Sequence, residues 1–374
     1  MEKLIFRKLI TDITLRALII TFSLGLIVWI IQAVNHLDFV IDDGHNFQIY
    51  FFFNLYNFPK IIHRILPFVF AISLFFELLK YEKNNELLIF WTNGISKMKL
   101  IKNLINFTII VTLIQIFIGS FLSPSSQYKA RLFLKESNMD FLPNLIKQGK
   151  FIDTISGLTI FINEKTKNNS FRNIYIQEGE FSNFKENNNQ IIYAKEGFLI
   201  DSDKKLFRLL DGKIVGTNNN RLVSFEFDKI DYDLSKFSSR SIKKPKLQEI
   251  PSLKLIRCSY SLYFEKIYLD DLFICEKNKL KNINQELYKR FIKPIYLPIL
   301  TLICCFLFTF SKEQMNYTFK TIKVFLSIFS ILVVSEILLR YIEASNIYFL
   351  LLISVPLIIY FTIYIFLTNK VKYG

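Results

Sequence analysis

No phosphate-binding loop of the GxxxxGK[ST] type occurs in the 374 residues, so nucleotide hydrolysis in the Walker manner is not expected and any ATP energy must come from a partner. Histidine is scarce. His36, His45 and His63 are the only three, none stands in an HExxH motif or a Cys/His cluster with metal-ligand spacing, and they read as interfacial polar residues. No GxSxG nucleophile elbow is present, and the adjacent carboxylates Asp42 and Asp43 read as a solvated loop. These absences argue against an enzyme: no catalytic residue, metal ligand or cofactor site is expected in the chain itself. Cysteine is limited to four residues, of which Cys304 and Cys305 lie in an apolar run and read as packing residues. Cys258 and Cys275 fall in a water-facing segment and could pair in an oxidising compartment, which spacing alone does not establish.

Apolar residues are abundant. At 51% hydrophobic the chain is too apolar for an ordinary soluble protein, yet 21% charged is too much for one wholly in a membrane, so a mixture of the two is expected. The net charge of +15 lies mostly outside the apolar runs, with no basic stripe interleaved with stacking aromatics, so no nucleic-acid partner is expected.

Ala17 to Val34 is uncharged and about 27 Å long as a helix, near the thickness of a bilayer core, which makes it the first span. Lys3, Arg7, Lys8 and Arg16 precede it as they would a signal peptide, but the core is long and no small-residue cleavage site follows, so it reads as an uncleaved helix. Phe47 to Leu79 contains Pro59 and Pro67 and divides into an interfacial segment up to Phe58 and a span from about Ile61. Leu104 to Leu122 is a third span, ended by Ser123 and Pro124. Spans four to six run from Phe291 to Phe310, Thr321 to Leu339 and Ile347 to Leu367. No repeat relates the two groups of three.

Lys and Arg in the short loops set the orientation. Ala17 to Pro59 has neither, and holds Asp38, Asp42 and Asp43. The N-terminal segment, the loop with Lys80, Lys83, Lys97, Lys99 and Lys102, the loop with Lys312, Lys320 and Lys323, and the tail with Lys370 and Lys372 are basic. Both termini are therefore expected in the cytoplasm, with the long segment after Pro124 outside. That segment changes period: GLTIFINE, NIYIQEG, IIYAKEGFLI, KLFRLLDGKIVG and RLVSFEFDKI are β-prone stretches parted by Asn, Gly, Asp and Lys. They predict about seven or eight strands between Leu145 and Ile230, as a sandwich or jelly roll. The chain is thus an α+β membrane protein with six transmembrane helices and an inserted β-jelly-roll domain. Its parts are residues 1–123 with spans one to three, 124–245 with the jelly roll, 246–290 as linker and helix, and 291–374 with spans four to six.

The loop KYEKNNELLIFWTNGISKMKL is amphipathic and too short to be a domain. One reading is a docking helix over about 84–94, presenting Glu86, Leu87, Ile89, Phe90 and Trp91 and stopped by a left-handed cap at Asn93 and Gly94. The other is a hairpin on the lipid headgroups, anchored by Trp91.

ELLIFWTNGIS, Glu86 to Ser96, resembles the acidic residue, hydrophobic helix and Gly-Ile-Ser stop of the lipopolysaccharide export permeases, the LptF/LptG (YjgP/YjgQ) family. QELYKRFIKPIYLPI, Gln285 to Ile299, resembles the Glu-Leu, basic pair and Pro-containing approach to that family's fourth span. ILPFVFAISLFFELLKYEKNNE, LSPSSQY and the three-plus-domain-plus-three layout also fit. VWIIQAVNHLDFV and QGKFIDTISGLTIFINE are more similar to LptF than to LptG. The resemblance implies a bacterial inner-membrane permease paired with an LptG-like partner on a dimer of an LptB-like ATPase, which hydrolyses ATP with Mg. It also implies an LptC-like periplasmic bridge protein continuing the jelly roll, and lipopolysaccharide or a related glycolipid as substrate. Glu86 would be the coupling-helix acid facing a basic residue on the ATPase, with Leu87, Phe90 and Trp91 beside it and Gly94 as the stop. Acyl chains would lie in the jelly-roll interior, with Phe161 as a candidate contact.

The sequence departs from the family at the outer end of span one, where basic residues often stand and this chain has Asp38 and no cation. Lys60, Arg64, Arg290, Lys293 and Arg340 are the outer-edge cations available to a lipid headgroup. Each also reads as ordinary snorkelling at a helix end. A membrane-anchored envelope assembly or mechanical-signalling protein is the alternative to an exporter, and a membrane-bound enzyme would need a polar constellation that the sequence does not show.

Overall fold

The computed structural model describes residues 2–37, 40, 46–137, 148–152, 158–165, 170–178, 190–201, 206–218, 221–233, 245–263, 275, 277–341 and 346–373. Asp38, Asp42, Asp43, His45 and Leu145 lie outside them. Six helical stretches are long and apolar enough to cross a membrane. The chain divides into two compact units, one of residues 1–31, 57–128 and 246–374 and the other of 32–56 and 129–245.

The first unit is a helical bundle. Helix α1 is Glu2–Asn35 and α2 is Phe47–Lys83, followed by the short α3, Glu86–Thr92, and by α4, Lys97–Phe117. A wide π-turn, Ile118–Leu122, then leads straight into α5, Ser123–Ser137. Pro59 and Pro67 sit inside α2 without dividing it, and Pro124 sits inside the first turn of α5, so neither expected break occurs. Proline is tolerated in membrane helices because neighbouring helices and local turns satisfy the carbonyls it frees, and the wide turn just before Pro124 is such a local adjustment.

On the C-terminal side come α6, Ser252–Tyr263, and α7, Leu280–Leu287; a second π-turn, Tyr288–Ile292; a tighter turn at Lys293–Ile295 around Pro294; and α8, Tyr296–Cys304. Two further spans, α9 (Tyr317–Tyr341) and α10 (Asn346–Tyr373), complete the bundle. Its core joins Leu74 and Leu78 of α2, Leu100 and Leu104 of α4, and Leu297 and Leu300 of α8. Thr108 and Thr301 share a hydrogen bond of 2.8 Å there, the kind of polar contact that ties helices together where apolar packing has no water to escape. Cys304 and Cys305 are buried free thiols in this core, as packing residues should be. Cys258 and Cys275 form a disulfide that ties α6 to the chain before α7.

In contrast, the middle of α1 is little covered. Leu9 and Ile13 are fully buried, but from Ala17 to Ile31 only Gly25 is.

The second unit carries one antiparallel sheet of six strands in sequence order: β1 Phe151–Ile152, β2 Leu158–Lys165, β3 Ser170–Glu178, β4 Gln190–Asp201, β5 Leu206–Asn218 and β6 Arg221–Asp233. Alternation buries Leu158, Ile160 and Ile162 of β2 against Ile174 and Ile176 of β3, Ile192 of β4 and Leu209 of β5. The expected seven or eight strands of a jelly roll thus resolve, among the described residues, into six strands of one meander. Gly197 and Gly212 lie within long strands, as the stretches IIYAKEGFLI and KLFRLLDGKIVG suggest. Phe161 falls between Ile160 and Ile162, so it points away from this core and packs on Phe151 at 4.6 Å between ring centres. The expectation that it faces inward is thereby corrected.

Candidate functional site

The loop after α2 folds as a helix. Asn85, at φ 61°, turns the chain into α3, and Gly94, at φ +74°, turns it out. Ile95 N–H donates to the Phe90 carbonyl and Gly94 N–H to that of Trp91, both at 3.0 Å, which is the paired bonding of a Schellman cap. Ser96 then accepts the Lys99 N–H and starts α4.

This cap fixes which side of α3 faces the bundle. Leu87 and Phe90 are buried, with the Phe90 ring near Phe6 and Tyr81, and Trp91 lies against Phe308. Of the apolar residues expected to be presented, only Ile89 is exposed, at 52%, joined by Leu88 at 58%. The helical period explains this: residues 87, 90 and 91 share one face and 88 and 89 the other. Glu86 is 3.5 Å from Lys8 of α1 and accepts a hydrogen bond of 3.2 Å from Asn84.

At the opposite end of the bundle, the five cations singled out in the sequence converge on two adjoining spaces. The first is a groove of about 690 Å³ between α2 and α9, with Arg64, Lys293 and Arg340 as its basic side chains and Phe68, Leu332 and Ile337 among its apolar ones. The second is a more polar cavity of about 280 Å³, walled in part by Lys60, Arg64, Arg290 and Lys293. Arg64, Lys293 and Glu336 border both.

Their situations differ. Lys293 is ion-paired with Glu336 across the shared wall. Arg290 is only 2% exposed: its Nη1 donates to the Ile250 carbonyl at 2.8 Å and Ser252 Oγ at 2.9 Å, its Nη2 to the Gln248 carbonyl at 3.0 Å, and its Nε to Glu286 at 3.0 Å. It is therefore an internal clasp and not a snorkelling side chain. No carboxylate pairs with Lys60 or Arg64 among the described residues. Glu336 and Gln115 were not singled out in the sequence, because only the fold brings them beside these cations, and Glu286 stood there only as the Glu of the Gln285 to Ile299 motif.

A basic rim over an apolar wall suits an amphiphile with an anionic head, and the sequence profile of one family fits that chemistry: the lipopolysaccharide export system permease LptF/LptG matches residues 7–370. The chain belongs to the LptF/LptG family. It is a permease of the lipopolysaccharide export system, a transmembrane subunit without an ATPase domain, and by family an inner-membrane protein with six spans. No curated protein matches the chain. Among the described residues of this LptF/LptG permease, no group of three His, Cys, Asp or Glu side chains is placed to hold a metal ion.

Proposed function

We propose that this permease is the LptF-type half of a heterodimer that lifts lipopolysaccharide, or a related glycolipid, out of the inner membrane on energy from an LptB-like ATPase dimer. ATP and Mg belong to that partner. The LptF assignment rests on the two stretches VWIIQAVNHLDFV and QGKFIDTISGLTIFINE. Both termini face the cytoplasm in this reading and the sheet faces the periplasm. The distribution of Lys and Arg supports it, as does the Cys258–Cys275 disulfide, which needs an oxidising compartment.

The observation that carries the reading is the groove of Arg64, Lys293 and Arg340 above Phe68, Leu332 and Ile337. Phosphates of the lipid head pair with the cations and an acyl chain lies along the apolar wall. On the cytoplasmic side the ATPase grips α3 through Glu86, Leu88 and Ile89, while Leu87, Phe90, Trp91 and Gly94 hold the helix in place. Closing of the ATPase moves α3 and narrows the space between the two permeases. An LptC-like protein extends the sheet, and acyl chains travel along it.

Photo-crosslinking in cells tests this, with probes at Ile89, at Phe68 and on both faces of the sheet at Ile160 and Phe161. An ATPase trapped at Ile89 and a glycolipid trapped at Phe68 and on one sheet face is the expected result. Capture of no ATPase at the loop, and of protein alone elsewhere, would replace the exporter with an envelope assembly or mechanical-signalling role.

A further inference from the structure

A further cavity, of about 510 Å³, lies at the other end of the bundle from the groove. The groove follows the later half of α9, whereas this cavity is walled by the start of α9, the end of α10 and the turn after α8. It shares that end with α3, since Phe308 of the turn packs on Trp91. Three lysines border it, Lys320 and Lys323 from the first two turns of α9 and Lys370 from the last turns of α10, and no carboxylate does.

Each amine lies over a ring instead: Lys320 over Phe310 at 5.8 Å, Lys323 over Phe319 at 4.5 Å and Lys370 over Phe306 at 5.9 Å. Lys320 also donates to Gln314 Oε1 at 2.9 Å, a neutral acceptor. Rings and amides attract an ammonium without neutralising it, and none of the three is ion-paired among the described residues. The helix adds to the field. Lys320 and Lys323 stand near the N-terminus of α9, where the peptide dipole is positive, and the first turn of α9 holds no acid. Helices favour cations at the opposite end, so the arrangement is repulsive by itself and becomes favourable around an anion.

The rest of the wall says what kind of anion. Phe306, Val324, Ile331 and Ile363 line the same space, and Lys320 to Ile331 covers about 16 Å along a helix that is long and apolar enough to cross the membrane. A soluble anion has no use for that wall. An anion that carries hydrocarbon does.

We propose that this cavity binds one anionic phospholipid of the phosphatidylglycerol type, from the leaflet on the α3 side. Its phosphodiester pairs with Lys320, Lys323 and Lys370, and an acyl chain lies on Ile331 and Ile363. The exporter reading is needed only to call that leaflet cytoplasmic, and the lipid is not the cargo, which that reading places at the opposite end. A bound lipid also steadies α3. Phe306 and Thr309 line the cavity while Phe308, between them, supports Trp91, and just beyond, Lys312 N–H donates to the Glu82 carboxylate at 3.3 Å and its Nζ to the Lys83 carbonyl at 3.4 Å.

The test places the full-length permease, with the partners it retains, in phosphatidylcholine nanodiscs carrying spin-labelled phosphatidylglycerol or spin-labelled phosphatidylcholine. Electron paramagnetic resonance then reads the motionally restricted fraction of each label. The wild type should restrict the anionic label in preference to the neutral one, and Lys320→Gln with Lys370→Gln should lower that preference about fivefold or more. Ser327→Trp, which fills the cavity from an exposed wall position without changing charge, should lower it too. Lys97→Gln with Lys102→Gln, on α4 at the same end of the bundle, should leave it unchanged. Hydrogen exchange in Glu86–Thr92 should slow when phosphatidylglycerol is added to the wild type, and not in the Lys320, Lys370 variant. No preference in the wild type, equal loss in the α4 control, or full preference kept in Ser327→Trp would overturn the proposal. The preference intact with no ATPase trapped at Ile89 would leave this site standing without the exporter. An ATPase trapped there with no lipid preference would leave the exporter standing without the site.

Discussion

Glu77 of α2, 1% exposed, holds Arg16 of α1 in an ion pair one helical turn from the 2.6 Å hydrogen bond that Tyr81 donates to Asp12. The two rungs step by four residues along each helix in opposite directions, as antiparallel neighbours require. Removing Arg16 alone, as Arg16→Met, strands a buried carboxylate with only Lys80, 3.2 Å away, for company. The expected loss is about 2–4 kcal/mol, most of it recovered in the double variant Arg16→Met/Glu77→Leu. Thermal unfolding of the purified complex measures both, and simple addition of the two single effects would contradict the pairing.

The two faces of α3 should separate stability from docking. Phe90→Ala should cost about 3–4 kcal/mol, seen as a lower melting temperature, because Phe90 fills the core. Leu88→Asp with Ile89→Asp should leave melting nearly unchanged and lower co-purification of the ATPase at least about tenfold.

At Gly94, alanine meets no neighbouring atom but must adopt φ +74°. Gly94→Ala should therefore destabilise the loop by about 1 kcal/mol through backbone strain alone, and Gly94→Asn by less. Hydrogen exchange at the Ile95 amide, which donates to Phe90, would report the difference.

The Cys258–Cys275 disulfide closes a sequence separation of 17 residues. Cys258→Ser with Cys275→Ser should lower stability by about 3 kcal/mol on a loop-entropy basis. A mobility shift on reduction in a non-reducing gel checks that the bond is present in cells, and its absence there would count against the periplasmic placement of α6.

In the sheet, Arg208 of β5 grips Asp231 of β6 with two hydrogen bonds, of 2.6 and 2.8 Å. The guanidinium holds the Asp231 carboxyl below the usual carboxylate range. A depressed carboxyl contributes stability above its unfolded-state pKa and loses it as pH falls through the folded value, so the sheet should weaken on acidification below about pH 4. Arg208→Gln should flatten that acid limb in a melting-temperature profile. A profile of unchanged shape would mean that the pair is decorative.

The six spans were legible because an apolar run near bilayer length is hard to read any other way. Their ends were not. Asp12 and Arg16 look like residues before a membrane helix, yet they lie inside α1 because Tyr81 and Glu77 satisfy them from a helix distant in sequence. Arg290 looked like a headgroup ligand for the same reason: nothing local reveals that the carbonyls of Gln248 and Ile250 await its guanidinium. The buried face of α3 follows from its period, since Leu87 and Phe90 are three residues apart, although the docking reading counted both among the residues presented. His63 reads as an interfacial polar residue, and nothing local reveals that its ring lies against Gly119, which is distant in sequence.

Helix α1 behaves mechanically as a rod pinned near its two ends. Asp12 and Arg16 hold its start to Tyr81 and Glu77, and near its end the Ala33 carbonyl accepts from Tyr50 and His36 meets Asn54 at 2.7 Å, while between Ala17 and Ile31 only Gly25 is buried. The stretch from Arg16 to Ala33 is about 26 Å long, so a load applied at Lys8, which touches the α3 loop through Glu86, is met by bowing of the lightly packed middle and not by the swing of a loose end.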